Sequence, residues 1–195
     1  MNVFLGITGA SGAPYAARLL DTLVAADVEV GLCISRAGYE VMATELYEDV
    51  TLSREEILER FLDGRDGIAV HSEHDWRAPY ASGSAKVDAY VICPCSMGTA
   101  GTIASGTMSN LIHRAASVAI KEGRKLIVVP RETPLSDIHL ENMLRVRRAG
   151  AVVLMAAPGF YQQPQEIGDL IEFVVGRCLD QLGIENRLTK RWGQE

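Results

Sequence analysis

The chain has no long hydrophobic run, no surplus of basic residues and no dense cysteine pattern, and each absence removes a class of function. No apolar stretch approaches the roughly 20 residues of a bilayer-crossing helix, so no membrane span is expected. The first apolar run is too short, and lacks the basic leader, for a secretory signal peptide. With 25 acidic against 19 basic residues the formal net charge is −6, which argues against nucleic acid as the main partner. Cys33, Cys93, Cys95 and Cys178 are too sparse for a disulfide scaffold. Cys93-Pro94-Cys95 is not a C-x-x-C pair, and no second Cys/His pair stands at zinc-like spacing, so no metal centre is expected. A reduced, cytoplasmic protein follows. The four histidines show neither ligand spacing nor a triad, and His139, inside a helical pattern, reads as structural.

What the chain does have is alternation. Strand-like apolar runs fall at 2–7, 28–34, 87–93, 124–129 and 151–155, with a weaker one at 68–71. Helical patterns lie between them at 13–26, 36–47, 53–62, 98–121, 136–149 and 164–182. Ser53 and Glu56 form a capping box at the third helix. The 98–121 pattern is expected to break between Gly106 and Ser109. Strands alternating with helices predict a single domain over 1–195, with a parallel sheet covered on both faces. Two loops, 71–86 and 156–165, are too long to be plain connectors, and loops of such length are often functional.

The turn Gly9-Ala10-Ser11-Gly12 after the first strand is the leading site candidate. Its glycines permit close backbone approach, Ser11 can cap the helix or bind an anion, and Pro14 suits a first helical turn. Free amides at that helix start would hold a phosphate. A purely structural strand–helix turn would look the same, since the full G-x-G-x-x-G spacing is missing. A second small-residue turn, Ser96-Met97-Gly98-Thr99, follows the 87–93 run. In a doubly wound sheet these two turns face one crevice, suited to a phosphate and a flat ring. Arg114 and Lys121 lie two turns apart on one helical stripe, Arg131 follows a strand's carboxyl end, and Arg177 lies on the last helix. Converging cations in an acidic chain would form a focused anion site; solvated surface positions are the alternative. Glu45 is a candidate acid or hydrogen-bond partner, and Trp76 and Tyr161 could wall a pocket.

Taken in order, Thr8-Gly9-Ala10-Ser11-Gly12, Met42-Ala43-Thr44-Glu45, Asp75-Trp76 with Ala81-Ser82-Gly83-Ser84, and Pro94-Cys95-Ser96-Met97 form a recognisable series. It continues with Asn110-Leu111-Ile112, Arg114-Ala115-Ala116, Val129-Pro130-Arg131-Glu132, His139-Leu140-Glu141-Asn142-Met143 and Pro158-Gly159-Phe160-Tyr161. Over essentially all 195 residues the chain resembles the UbiX-like flavin prenyltransferases, formerly called aromatic acid decarboxylases. The resemblance implies a Rossmann-like three-layer sandwich with a mostly parallel six-stranded sheet, of the flavin-containing cysteine decarboxylase-like type. It implies a homo-oligomer, typically a dodecamer, that moves a dimethylallyl group from dimethylallyl monophosphate to N5 and C6 of reduced FMN without a metal. The product serves UbiD-type decarboxylases.

By position, the resemblance makes Gly9, Ala10, Ser11, Ser35, Ser96, Met97, Gly98, Thr99 and Arg131 FMN contacts. It makes Ser82, Arg114, Lys121, Arg131, Glu132, Tyr161 and Arg177 an allylic phosphate site built across subunits. Trp76 matches the wall beside the prenyl group, and Ser11, Glu45 and Glu132 match polar positions near the reacting atoms. The chain departs from the common pattern at Gly98, Gly101 and His74, which implies altered packing rather than lost activity. Two other functions stay open at this point: an FMN-dependent cysteine decarboxylase, whose Pro-x-Met-Asn-x-x-Met stretch is missing, and a flavodoxin-like FMN electron carrier.

Overall fold

Strands made almost wholly of apolar residues belong in a sheet buried on both faces. The structure, a computed structural model, describes residues 1–190. Its strands are β1 (Asn2–Ile7), β2 (Glu29–Ile34), β3 (Ile68–His71), β4 (Ala89–Cys95), β5 (Lys125–Pro130) and β6 (Val152–Val153). All neighbours pair in parallel, in the order β3-β2-β1-β4-β5-β6, so the winding reverses between β1 and β4. The helices are α1 (Ala13–Ala25), α2 (Arg36–Tyr47), α3 (Arg54–Leu62), α4 (Met97–Ser105), α5 (Leu111–Lys121), α6 (Asp137–Arg148) and α7 (Ile167–Leu182). This is the expected three-layer α/β sandwich.

The period of two along β1 divides the interior. Val3, Leu5 and Ile7 face a core shared with α1, α2, α3 and α7. Phe4 faces the opposite core, built with Tyr90, Ile92 and the inner faces of α4 and α5. The loop 71–86 is tied down over this second core. A 3-10 turn at Pro79–Ala81 lays Tyr80 against Gly31, where an added Cβ would come within 2.0 Å of the ring. Arg114 Nε donates to Ala81 O at 2.9 Å and Arg124 donates to Gly83 O at 2.6 Å.

The sequence reading placed the elements well and some ends poorly. The 98–121 pattern does break, with α4 ending at Gly106 in the left-handed region (φ 74°). Asn110 caps α5, accepting from His113 N–H at 3.0 Å. The expected capping box of Ser53 and Glu56 is present, and His139 is structural, forming a second box with Ser136. The 151–155 strand shrinks to Val152–Val153: it is an edge with one neighbour, and past it only the Leu154 and Ala156 amides reach β5.

Candidate functional site

Sheet order decides which turns meet. Because β2, β1 and β4 are consecutive, the turns leaving their carboxyl ends lie side by side, and α2, α1 and α4 start there. Each helix start carries the positive end of a peptide dipole. Ser35 caps α2, accepting from Gly38 N–H at 3.1 Å, and Ser96 caps α4, accepting from Thr99 N–H at 3.2 Å. The β1 turn runs hard against α2, since a Cβ on Gly9 would fall 2.4 Å from Ala37 Cβ.

One expectation fails here. The first amides of α1 are not free, because Glu45 on α2 sets Oε2 2.8 Å from both Gly12 N and Ala13 N. Pro14 has no N–H, and the Tyr15 amide returns to Gly12 O at 3.0 Å. A carboxylate therefore already answers the dipole where a phosphate was expected. Nor does Ser11 cap the helix; Gly12 (φ 129°) holds the cap position without a side-chain bond. Ser11 is left exposed, and the amides of Ser11 and the buried Ala10 have no internal partner among the described residues. Arg131, at the end of β5, reaches in and donates from Nε to Ser11 O at 3.3 Å.

Thr8 carries a role that sequence reasoning missed. It is buried at 2% exposure, and its Oγ1 donates to Pro94 O at 2.8 Å and accepts from Ser96 N–H at 2.8 Å. The signal was a single hydroxyl closing an otherwise apolar strand.

The cations do not converge within one chain. Arg114 and Lys121 lie on α5 beside the 79–83 segment, where Lys121 pairs with Glu122 against Gly83. Arg177 lies on α7, in the opposite helical layer, paired with Asp180 at 2.8 Å. It borders a groove of about 270 Å³ with Leu154, Phe173 and Gln181. Tyr161 joins this second group by an edge contact with Phe173, centroids 5.7 Å apart. Of these four cations Arg131 alone stands at the crevice; Glu132 beside it accepts from Thr133 N–H at 3.0 Å. Ser82 is bonded to Ser84 at 2.9 Å on the α5 side, and Trp76 is 50% exposed in the long loop.

The crevice residues fit FMN. The Ala10 and Ser11 amides, unpartnered among the described residues, and the Arg131 guanidinium suit its phosphate. At exposed Gly98 an added Cβ would meet only Ser96 Oγ at 3.9 Å, which leaves the start of α4 open to a flat ring. Gly101, by contrast, packs α4 against Asn142 of α6. No group of three or more His, Cys, Asp or Glu is placed to hold a metal among the described residues, and no helix there is long and apolar enough to cross a membrane.

The thiols stay out of the chemistry. Burial pushes Cys33, Cys95 and Cys178 up to about 12, and Cys93 well above its ordinary range. All four are therefore protonated, poor nucleophiles at neutral pH. In the unfolded chain they release protons near 9, so between pH 9 and 12 the native state binds more protons and stability falls as pH rises. The expected slope is about 1.4 kcal/mol per pH unit for each thiol. Urea titrations at pH 8 and pH 10 check this, and equal midpoints would show that the thiols ionise in the folded protein.

Comparison with known proteins places these features. A family model described as Flavoprotein matches residues 1–179. The chain is 51% identical over 200 aligned positions to the flavin prenyltransferase UbiX of Pseudomonas aeruginosa, covering 100% of this chain and 95% of that protein. Its fold is similar to a dodecameric FMN-dependent UbiX-like decarboxylase from Escherichia coli O157:H7, with TM-score 0.87 and 38% identity over 98% of this chain and 99% of that one. It is equally similar to AnUbiX (PadA1), solved in complex with FMN and dimethylallyl pyrophosphate, with TM-score 0.87 and 38% identity over 98% and 97% of the two chains.

Proposed function

The chain belongs to the UbiX flavin prenyltransferases, and from that membership we propose that it transfers a dimethylallyl group from dimethylallyl monophosphate to N5 and C6 of reduced FMN. The observation that carries the reading is the meeting of the Ser11 turn, the α2 and α4 starts and Arg131 where the sheet winding reverses. Reduced FMN, when bound, supplies the electron-rich nitrogen and carbon that accept the five-carbon unit. Gly9, Ala10, Ser11, Ser35, Ser96 to Thr99 and Arg131 would hold it.

The protein's part is to make a poor leaving group leave. As the allylic C–O bond breaks, its electron pair goes to the phosphate and positive charge grows on carbon. Ser82, Arg114, Lys121, Arg131, Glu132, Tyr161 and Arg177 would gather the phosphate, their cations bearing the growing negative charge that a divalent ion bears in other prenyl transfers. Trp76 would face the cationic carbon with its ring and keep water away. Glu45 holds the Ser11 turn through the Gly12 and Ala13 amides, so Ser11 would keep a fixed position near the reacting atoms, and Glu132 would stand near them from the end of β5.

Because α5 and α7 lie in opposite layers, this phosphate site needs more than one copy of the chain. Exposed Trp76, Phe160 (72%) and Leu140 (50%) support such a homo-oligomer, in our reading a dodecamer. The released flavin would pass to a UbiD-type decarboxylase. Free, buried cysteines support a cytoplasmic setting.

Anaerobic incubation with reduced FMN and dimethylallyl monophosphate, followed by mass spectrometry of the released flavin, tests the proposal. A gain of one C5H8 unit is the expected result; flavin released unchanged would show that the chain only binds it.

A further inference from the structure

From the geometry at the end of β1 we infer that Thr8 is a positioning residue, setting the distance between the two turns that would hold FMN. This rests on the flavin-binding reading above. The regular pairing of β1 with β4 runs from Val3 to Gly6, opposite Ala89 to Ile92. Beyond it Pro94 offers no N–H, so the ladder cannot continue on backbone groups alone. Thr8 extends it in another way. Its amide donates to Pro94 O at 3.2 Å, its hydroxyl donates to the same carbonyl at 2.8 Å, and that hydroxyl accepts from Ser96 N–H at 2.8 Å.

In a continued parallel ladder the Ser96 amide would go to a backbone carbonyl of the neighbouring strand. Here a side-chain oxygen intercepts it, which fixes the α4 cap at the length of one threonine side chain from β1. β4 also slips its register with β5 between Ile92 and Cys95, so on that side pairing is interrupted before it resumes at Cys95 opposite Pro130. The next residues along each chain are Gly9 to Ser11 and Met97 to Thr99, the two sets assigned to the flavin. Thr8 itself is buried and offers nothing to a ligand directly. Its action on the flavin passes through the Ser96 amide and the Gly9 turn.

A buried valine has threonine's shape without its hydroxyl, which makes the test clean. Titration of purified protein with oxidised FMN, followed by flavin fluorescence and visible circular dichroism, is the experiment. Thr8→Val is expected to keep the native far-ultraviolet spectrum, weaken FMN binding at least tenfold and change the visible dichroism of whatever flavin remains bound. Thr8→Ser keeps both hydrogen bonds and is expected to bind within twofold of the parent, even with a lower melting temperature. Valine binding FMN like the parent would overturn the inference. If the valine protein does not fold, the serine protein decides: folded with a tenfold loss, it shows that the methyl group matters and not the hydroxyl, and the inference falls. A parent chain that binds no FMN would instead remove the functional reading beneath it.

Discussion

Lys121→Ala is expected to bind FMN like the parent and to transfer the prenyl group about 10²–10³-fold more slowly, the loss seen when one preorganised donor to a developing anion is removed. The ammonium lies at the last turn of α5, half exposed, paired with Glu122 and pressed against Gly83. An exposed pair of this kind adds little to stability. Its value lies in the reaction. The monoester phosphate is already anionic, and further negative charge arrives on it as the C–O bond breaks, so a fixed cation there is felt in the rate as well as in substrate binding. Single-turnover prenylation under anaerobic conditions checks this, alongside FMN titration. A parent-like rate would take Lys121 out of the phosphate site.

Gly31→Ala is expected to lower stability by about 3 kcal/mol, the upper part of the range for overpacking a core. The added Cβ would fall 2.0–2.2 Å from three atoms of Tyr80. That ring cannot retreat easily, because it packs on Phe4 (centroids 5.0 Å apart) and His71 (5.3 Å) and donates to Asn2 Oδ1 at 3.0 Å. The effect should also reach function. Tyr80 anchors the segment that carries Trp76 and Ser82, so prenyl transfer at a temperature where the variant is folded should fall as well. An unchanged urea midpoint would mean that the loop yields freely and does not anchor the prenyl wall.

The sequence revealed topology better than it revealed sites, for a physical reason. Strands such as Val3–Ile7 and Leu126–Val129 announce themselves because burial on both faces demands continuous apolar residues. Helix ends at Ser53 and Gly106 were legible because capping is local chemistry. β6 was overread because edge pairing depends on a neighbour and not on composition. Glu45 was noticed as polar, but its reach to the Gly12 amide spans 33 positions, which no periodicity encodes. The four cations were singled out by residue type alone. Where they lie followed from which layer each helix entered, and that is a property of the winding.

The burial of the thiols has a chemical consequence for a protein that handles dihydroflavin. Free dihydroflavin meeting oxygen yields hydrogen peroxide, and peroxide attacks thiolates first, starting the path to sulfenic and sulfinic acids. Cys93 and Cys95 are 1% and 0% exposed a few residues from the Ser96 turn, and they stay protonated there. The oxidant would form within a short distance of sulfur it cannot use.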